Sequence, residues 1–163
     1  GAPAIAGLPR WYIIEQIGAF EAGWRGGHAM DTVGIRMRSM VRALDREGDM
    51  ESVADYVTSL PRITPQPTLG GDPRAGEVVY TTVCQGCHLP DASGFEGSFA
   101  PPLVGQHDWY MLVQYQKYVR GWRGADEADI WGLSMGQSTP RATEAEVIDA
   151  LAYIGTLPVG GSQ

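Results

Sequence analysis

The sequence holds two cysteines in 163 residues, too few for a Cys₄ zinc site or a four-thiolate iron–sulfur cluster. No apolar run approaches the roughly 20 residues that a bilayer crossing needs; runs such as Trp11 to Ile14 stop after a few positions. The chain does not open on a basic stretch followed by an apolar one, so any signal peptide is expected to have been removed or to lie outside this sequence. Positive charge is scarce: 12 Lys and Arg face 19 Asp and Glu, a formal net charge of −7. No basic patch suits nucleic acid, and the negative surface favours partners that present positive charge. Strand-like alternation is nearly absent, which predicts an all-α chain. Beyond the cysteine region there is no general acid/base cluster and no nucleophile constellation.

What is present is concentrated. Both cysteines fall in Val83-Cys84-Gln85-Gly86-Cys87-His88, and Cys-x-x-Cys-His is the attachment run of a c-type haem. Two thiols three residues apart can each form a thioether to a porphyrin vinyl group, and the next residue brings an imidazole under the iron. Other readings compete. A thioredoxin-like pair belongs to a βαβ pattern, and neither flank of Cys84 has a β-branched strand run. A zinc site would need Cys84, Cys87, His88 and one distant His. A plain disulfide leaves His88 unexplained. Iron held by His88 needs a sixth ligand, and a thioether favours Fe(II), so methionine is the expected partner.

The chain also repeats itself. Ala2-Pro3-Ala4-Ile5-Ala6-Gly7-Leu8-Pro9-Arg10-Trp11-Tyr12 aligns with Ala100 to Tyr110 at a constant offset of 98. Gln16 then pairs with Gln114, Gly23-Trp24-Arg25-Gly26 with Gly121-Trp122-Arg123-Gly124, Asp31 with Asp129, and Met37 with Met135. With one residue lost, Tyr56 to Pro61 matches Tyr153 to Pro158. Such self-similarity means two copies of one unit. Carrying His88 back by the same offset places its counterpart upstream of Gly1, so the first copy is expected to lack its haem-attachment run within this sequence. The copies are joined by 62–71, whose Pro and Gly residues favour an extended connector. The predicted organisation is 1–61 as the C-terminal half of a first unit, 62–71 as linker, 72–158 as a complete unit and 159–163 as a tail.

Within the second copy, Asp72 reads as an N-cap with Pro73 at the first helical position. That helix runs through Gly76 and Tyr80 into Cys84, and Leu89 to Phe99 reads as a wrapped loop. A further helix is expected from Asp108, with Trp109, Leu112, Tyr115, Val119 and Trp122 at helical spacing and Leu112 and Val119 assigned to the core. The stretch Trp131 to Gly136 reads as a Gly-containing loop. The last helix opens with the capping box Thr143-Glu144-Ala145-Glu146 and buries Val147, Leu151 and Ile154. His28 and His107 are expected to face solvent.

Gly76, Tyr80, Cys84-Gln85-Gly86-Cys87-His88, Pro101-Pro102-Leu103, a late Met and Tyr153 in a closing helix together resemble a class I cytochrome c over residues 72–158. Residues 1–61 resemble the second half of another such domain, so the whole is similar to the dihaem cytochrome c4 family. The resemblance implies the class I cytochrome c fold, haem c as cofactor, and single-electron transfer in the periplasm without enzymatic turnover of its own, as a free carrier or as the cytochrome subunit of a larger respiratory or dehydrogenase complex. Its partners would be redox proteins with basic docking surfaces, including a membrane oxidase, reductase or dehydrogenase. A haem peroxidase or gas sensor would instead require an exchangeable iron position. The resemblance places the sixth ligand at Met135 and the carbonyl that holds His88 at Pro101, and makes Met37 the ligand of a haem attached upstream. Met37 packed in its half-unit is the plainer alternative. Trp109, Tyr110, Trp122 and Arg123 are candidates for haem edges or propionates.

Overall fold

The computed structural model describes residues 2–44 and 48–160. Helices dominate. In chain order they are α1 (Arg10–Ala22), α2 (Thr32–Val41), α3 (Asp49–Ser59), α4 (Pro73–Val79), α5 (Gln85–His88), α6 (Asp108–Val119), α7 (Ile130–Ser138) and α8 (Glu144–Ile154). No strand occurs among the described residues; an isolated bridge joins Phe95 and Ala100.

The predicted helix starts are present. Asp72 accepts a hydrogen bond from Arg74 N at 2.9 Å with Pro73 in the first turn, and Thr143 and Glu146 close a reciprocal capping box on α8. Residues 62–71 form no helix. They are tied down by Asp108, which accepts from Thr68 Oγ1 at 2.8 Å and Leu69 N at 2.9 Å. These donors hold the Asp108 carboxyl below its ordinary range although burial pushes it up.

The two aligned runs build the same local parts. Asp31 and Asp129 are the N-caps of α2 and α7, and each accepts from the glycine three residues on, Gly34 or Gly132, at 2.9 Å. Gly26 and Gly124 both sit at φ 66°, and an added Cβ would lie 2.3 Å from Gly34 O and 2.1 Å from Gly132 O. Only glycine allows that approach.

Two apolar clusters fill the interior. One joins Leu8, Ile13, Ile17, Phe20, Val41, Ala54 and Val57 where α1 crosses α3. The other joins Tyr80, Ala92, Val104, Leu112, Val147, Ala150, Leu151 and Ile154 around the crossing of α4 and α8. Gly76 makes that crossing possible, since a Cβ there would stand 1.9 Å from Asp149 O and 2.8 Å from Ala150 N. Backbone cannot give way like a flexible side chain, so Gly76→Ala must push the helices apart. The expected cost is about 3 kcal/mol, read as a lowered thermal midpoint of the holoprotein; an unchanged midpoint would show that the crossing is looser than its geometry.

Two placements differ from the sequence reading. Trp131 to Gly136 lie inside α7, not in a loop. Val119, expected in the core, is 58% exposed and lines a cavity of about 400 Å³ with Tyr115, Thr139, Pro140 and Ala142. His28 is exposed as expected, stacked on Trp122 at 5.5 Å; His107 is half-buried against Trp109.

Candidate haem-attachment site

The approach to the cysteines is helical throughout. After α4 the backbone widens into a π-helical stretch from Tyr80 to Cys84, then continues as α5 to His88. Single π turns inside helices recur at functional sites, where they re-aim side chains. Tyr80 anchors the stretch from below: it is fully buried, leans on Tyr153 at 5.6 Å and donates its phenol proton to Leu89 O at 2.6 Å. Leu89, at φ 66°, turns the chain out of the helix.

Cys84 is half-buried and Cys87 exposed, and both are free thiols. Burial, reinforced by Cys87, pushes the Cys84 thiol up to about 11. A thioredoxin-type nucleophile needs the opposite shift. No cluster of three or more His, Cys, Asp or Glu suited to a metal ion occurs among the described residues.

His88 is buried, with Nδ1 2.9 Å from Pro101 O. A carbonyl only accepts, so Nδ1 carries the proton and Nε2 keeps its lone pair. Burial depresses the His88 pKa, while the Pro101 bond works the other way. A neutral ring with one nitrogen fixed by a carbonyl and the other free is the form that binds metal. Gly94 N donates to His88 O at 3.1 Å and returns the loop towards Pro101.

Met135 is half-buried on α7. The exit of that helix is held from α6: Tyr115 donates to Thr139 O at 2.7 Å and to Ala142 O. Met111 packs against the second apolar cluster. Met37, by contrast, is 45% exposed rather than packed in its half-unit.

Of the remaining candidates, Tyr110, Trp122 and Arg123 contact the first run across the seam between the aligned runs. Arg25 donates to Gln16 Oε1 at 2.5 Å, to Tyr110 Oη at 3.0 Å and to Gln114 Oε1 at 3.3 Å. Arg123 mirrors it, donating to Gln114 Oε1 at 2.7 Å and Gln16 Oε1 at 3.3 Å. Trp122 stacks on His28 and carries the Arg120 guanidinium over its ring. Trp109 packs against His107 and Tyr110. Burial raises the Tyr110 phenol, but Arg25, Arg123 and Lys117 outweigh it and the net shift is downward. Neither Arg25 nor Arg123 has a carboxylate in salt-bridge range among the described residues, although Arg25 is buried.

Sequence reasoning noticed the repeated Gly-Trp-Arg-Gly but not that the two copies face each other. It also missed the Lys117–Asp31 ion pair, 2.7 Å long with both side chains buried. Lys117 has no counterpart in the first run, where Ala19 stands at the equivalent position, so the pair breaks the symmetry of the seam.

An all-α unit with two thiols and an imidazole on consecutive turns, the imidazole braced by a carbonyl, defines a covalent haem domain. The chain belongs to the cytochrome c family, whose model matches residues 73–158. It is similar to the thiosulfate dehydrogenase electron acceptor of Stutzerimonas stutzeri strain A1501, with 28% identity covering 81% of this chain and 62% of that protein. The corresponding electron acceptor of Thiomonas intermedia strain K12 shows 28% identity over 98% of this chain and 72% of its own length. Among solved structures, the thiosulfate dehydrogenase TsdBA from Marichromatium purpuratum superposes with a TM-score of 0.75 at 28% identity, over 96% of this chain and 33% of that one. Reduced recombinant cytochrome c4 from Pseudomonas stutzeri gives 0.72 at 25% identity, over 96% and 85%. The fold is the class I cytochrome c fold in a c4-like arrangement, and its cofactor is haem c. No helix among the described residues is long and apolar enough to cross a membrane.

Proposed function

We propose that Cys84 and Cys87 form the thioethers, that His88 and Met135 are the axial ligands, and that this chain relays single electrons without turning over a substrate itself. The observation that carries the reading is the His88 ring, buried beside two free thiols with Nδ1–H on Pro101 O, a tautomer that leaves the Nε2 lone pair for a metal. Haem c, when bound, supplies a one-electron iron couple whose potential the axial ligands set. The chain's own residues fix the imidazole tautomer, hold α7 in place and shield one side of the site. Arg25 and Arg123, with Tyr110 and Trp122 beside them and Trp109 next to Tyr110, suit the propionates, because a buried guanidinium is stabilised by a carboxylate partner.

The donor in this reading is a thiosulfate-oxidising dehydrogenase or a related respiratory enzyme, as the names of the similar proteins suggest, with basic side chains on its docking face. The compartment is the periplasm, where covalent haem attachment takes place in this family. Residues 1–61 act as part of a second haem unit of a longer polypeptide, or a partner subunit covers their face. Met30, Val33, Met37, Met40 and Tyr56 are exposed on and around α2 and α3, and exposed apolar groups of this extent mark an interaction surface. Met37 would ligate the first iron. The chain spans about three-fifths of the length of the Stutzerimonas stutzeri relative.

Native purification with intact mass, haem stoichiometry and an oxidised-state spectrum tests these points together. The expected result is covalent haem at Cys84 and Cys87 and a methionine-to-iron charge-transfer band. A high-spin spectrum without that band would favour a peroxidase or gas sensor. An uncleaved monomer starting at Gly1, with one haem and no associated chain, would refute both proposed roles for the first run.

A further inference from the structure

Phe99 is a bulky residue at φ 49°, a left-handed conformation that such side chains rarely adopt unless their surroundings impose it. Two rings pack against it here. Trp131, in the first turn of α7, stacks on Phe99 at 5.3 Å and 28°, while Trp11, on α1 of the other run, meets Phe99 edge-on at 6.0 Å and 89°. Both sides of the iron site connect to this trio. Trp131 and Met135 are four residues apart on α7, so they share a helix face one turn apart. Phe99 lies two residues before Pro101, whose carbonyl holds His88. The loop that carries Phe99 is closed just before Pro101 by Phe95 N to Ala100 O at 2.9 Å and Ala100 N to Phe95 O at 3.1 Å.

The brace is not repeated. Trp109, the counterpart of Trp11, makes the same T-shaped contact with its neighbouring tyrosine but stacks on His107. The positions equivalent to Phe99 and Trp131 are Gly1 and Val33.

We propose that Trp11 and Phe99 are positioning residues: the Trp11 edge locks Phe99, which fixes the start of α7 against the Pro101 loop, so that the N-terminal run sets how firmly the sixth ligand holds in the C-terminal unit. This rests on the reading of His88 and Met135 as axial ligands. Each aromatic contact contributes enough to change a ligand equilibrium about threefold to tenfold.

Imidazole titration of the oxidised full-length holoprotein, followed by loss of the methionine-to-iron charge-transfer band, is the test. Trp11→Leu and Phe99→Leu keep apolar volume while removing the rings. Both are expected to release methionine at roughly threefold to tenfold lower imidazole, with helicity retained, and Trp11→Phe is expected to restore the parent value within about twofold. Leu variants that titrate like the parent, in a protein whose band is abolished by Met135→Ala, would overturn the brace and leave the axial assignment standing. A parent protein without the band, or one whose band survives Met135→Ala, would overturn the axial assignment and the brace with it.

Discussion

Protein carrying Cys84→Ala and Cys87→Ala is expected to give the far-ultraviolet spectrum of a largely unfolded chain. The reason lies in the size of its interior. The second cluster is built from Tyr80, Ala92, Val104, Leu112, Val147, Ala150, Leu151 and Ile154, several of them small, within a unit of fewer than 100 residues, where apolar burial alone offsets chain entropy only marginally. Val119 and Tyr115 line a solvent-open cleft instead of completing that core. The loop from Leu89 to Phe99 adds a second difficulty, because Leu89, Ala92 and Phe99 all hold positive φ without being glycine. Each such residue is maintained by its surroundings at a cost of about 1 kcal/mol or more. Tying a porphyrin to both cysteines supplies apolar surface to the core and shortens the free chain around it. Helicity equal to that of the parent, measured at equal concentration and after confirming loss of haem, would show that the polypeptide core is sufficient.

Much of this arrangement was legible in local residues. Asp72-Pro73, Thr143 with Glu146, and Cys84-Gln85-Gly86-Cys87-His88 carry their geometry within a few positions, where capping and spacing rules act, and each predicted helix start is present. The Met135 segment was misread because Gly132 and Gly136 look like loop residues. Gly132 instead sits against the cap: a Cβ there would stand 2.0 Å from an Asp129 carboxylate oxygen. The Asp129–Gly132 pair, echoed by Asp31–Gly34, was the available signal for a capped helix. What lay beyond local reading depends on distant partners. Arg25 and Tyr110, Lys117 and Asp31, and Trp11 and Phe99 are brought together only when the two runs dock. Nothing adjacent to Phe99 in sequence announces its positive φ.

Met135→Ala is expected to leave the haem covalently bound, lower the midpoint potential and open the sixth position to carbon monoxide in the reduced protein. In the proposed ligation the thioethers at Cys84 and Cys87 form on a different helical segment, and His88 keeps its bond to Pro101 O, so attachment and the proximal ligand would survive. The helix itself should stay in place. Its start is capped by Asp129 accepting from Gly132 N, and its exit is gripped by Tyr115 through Thr139 O and Ala142 O. If Met135 is the sixth ligand as proposed, removing its half-buried thioether therefore subtracts a ligand without unravelling α7. Thioether sulfur stabilises Fe(II) relative to Fe(III), and axial ligation as a whole moves haem potentials over about 0.8 V, so a fall on the order of 0.1 V or more is the expected size. Redox titration and a carbon monoxide difference spectrum, taken on the same preparation, read the two consequences independently. An unchanged potential together with no carbon monoxide adduct would assign the sixth position to another residue. Met111, packed against the core at the start of α6, is then the next methionine of the same unit to replace.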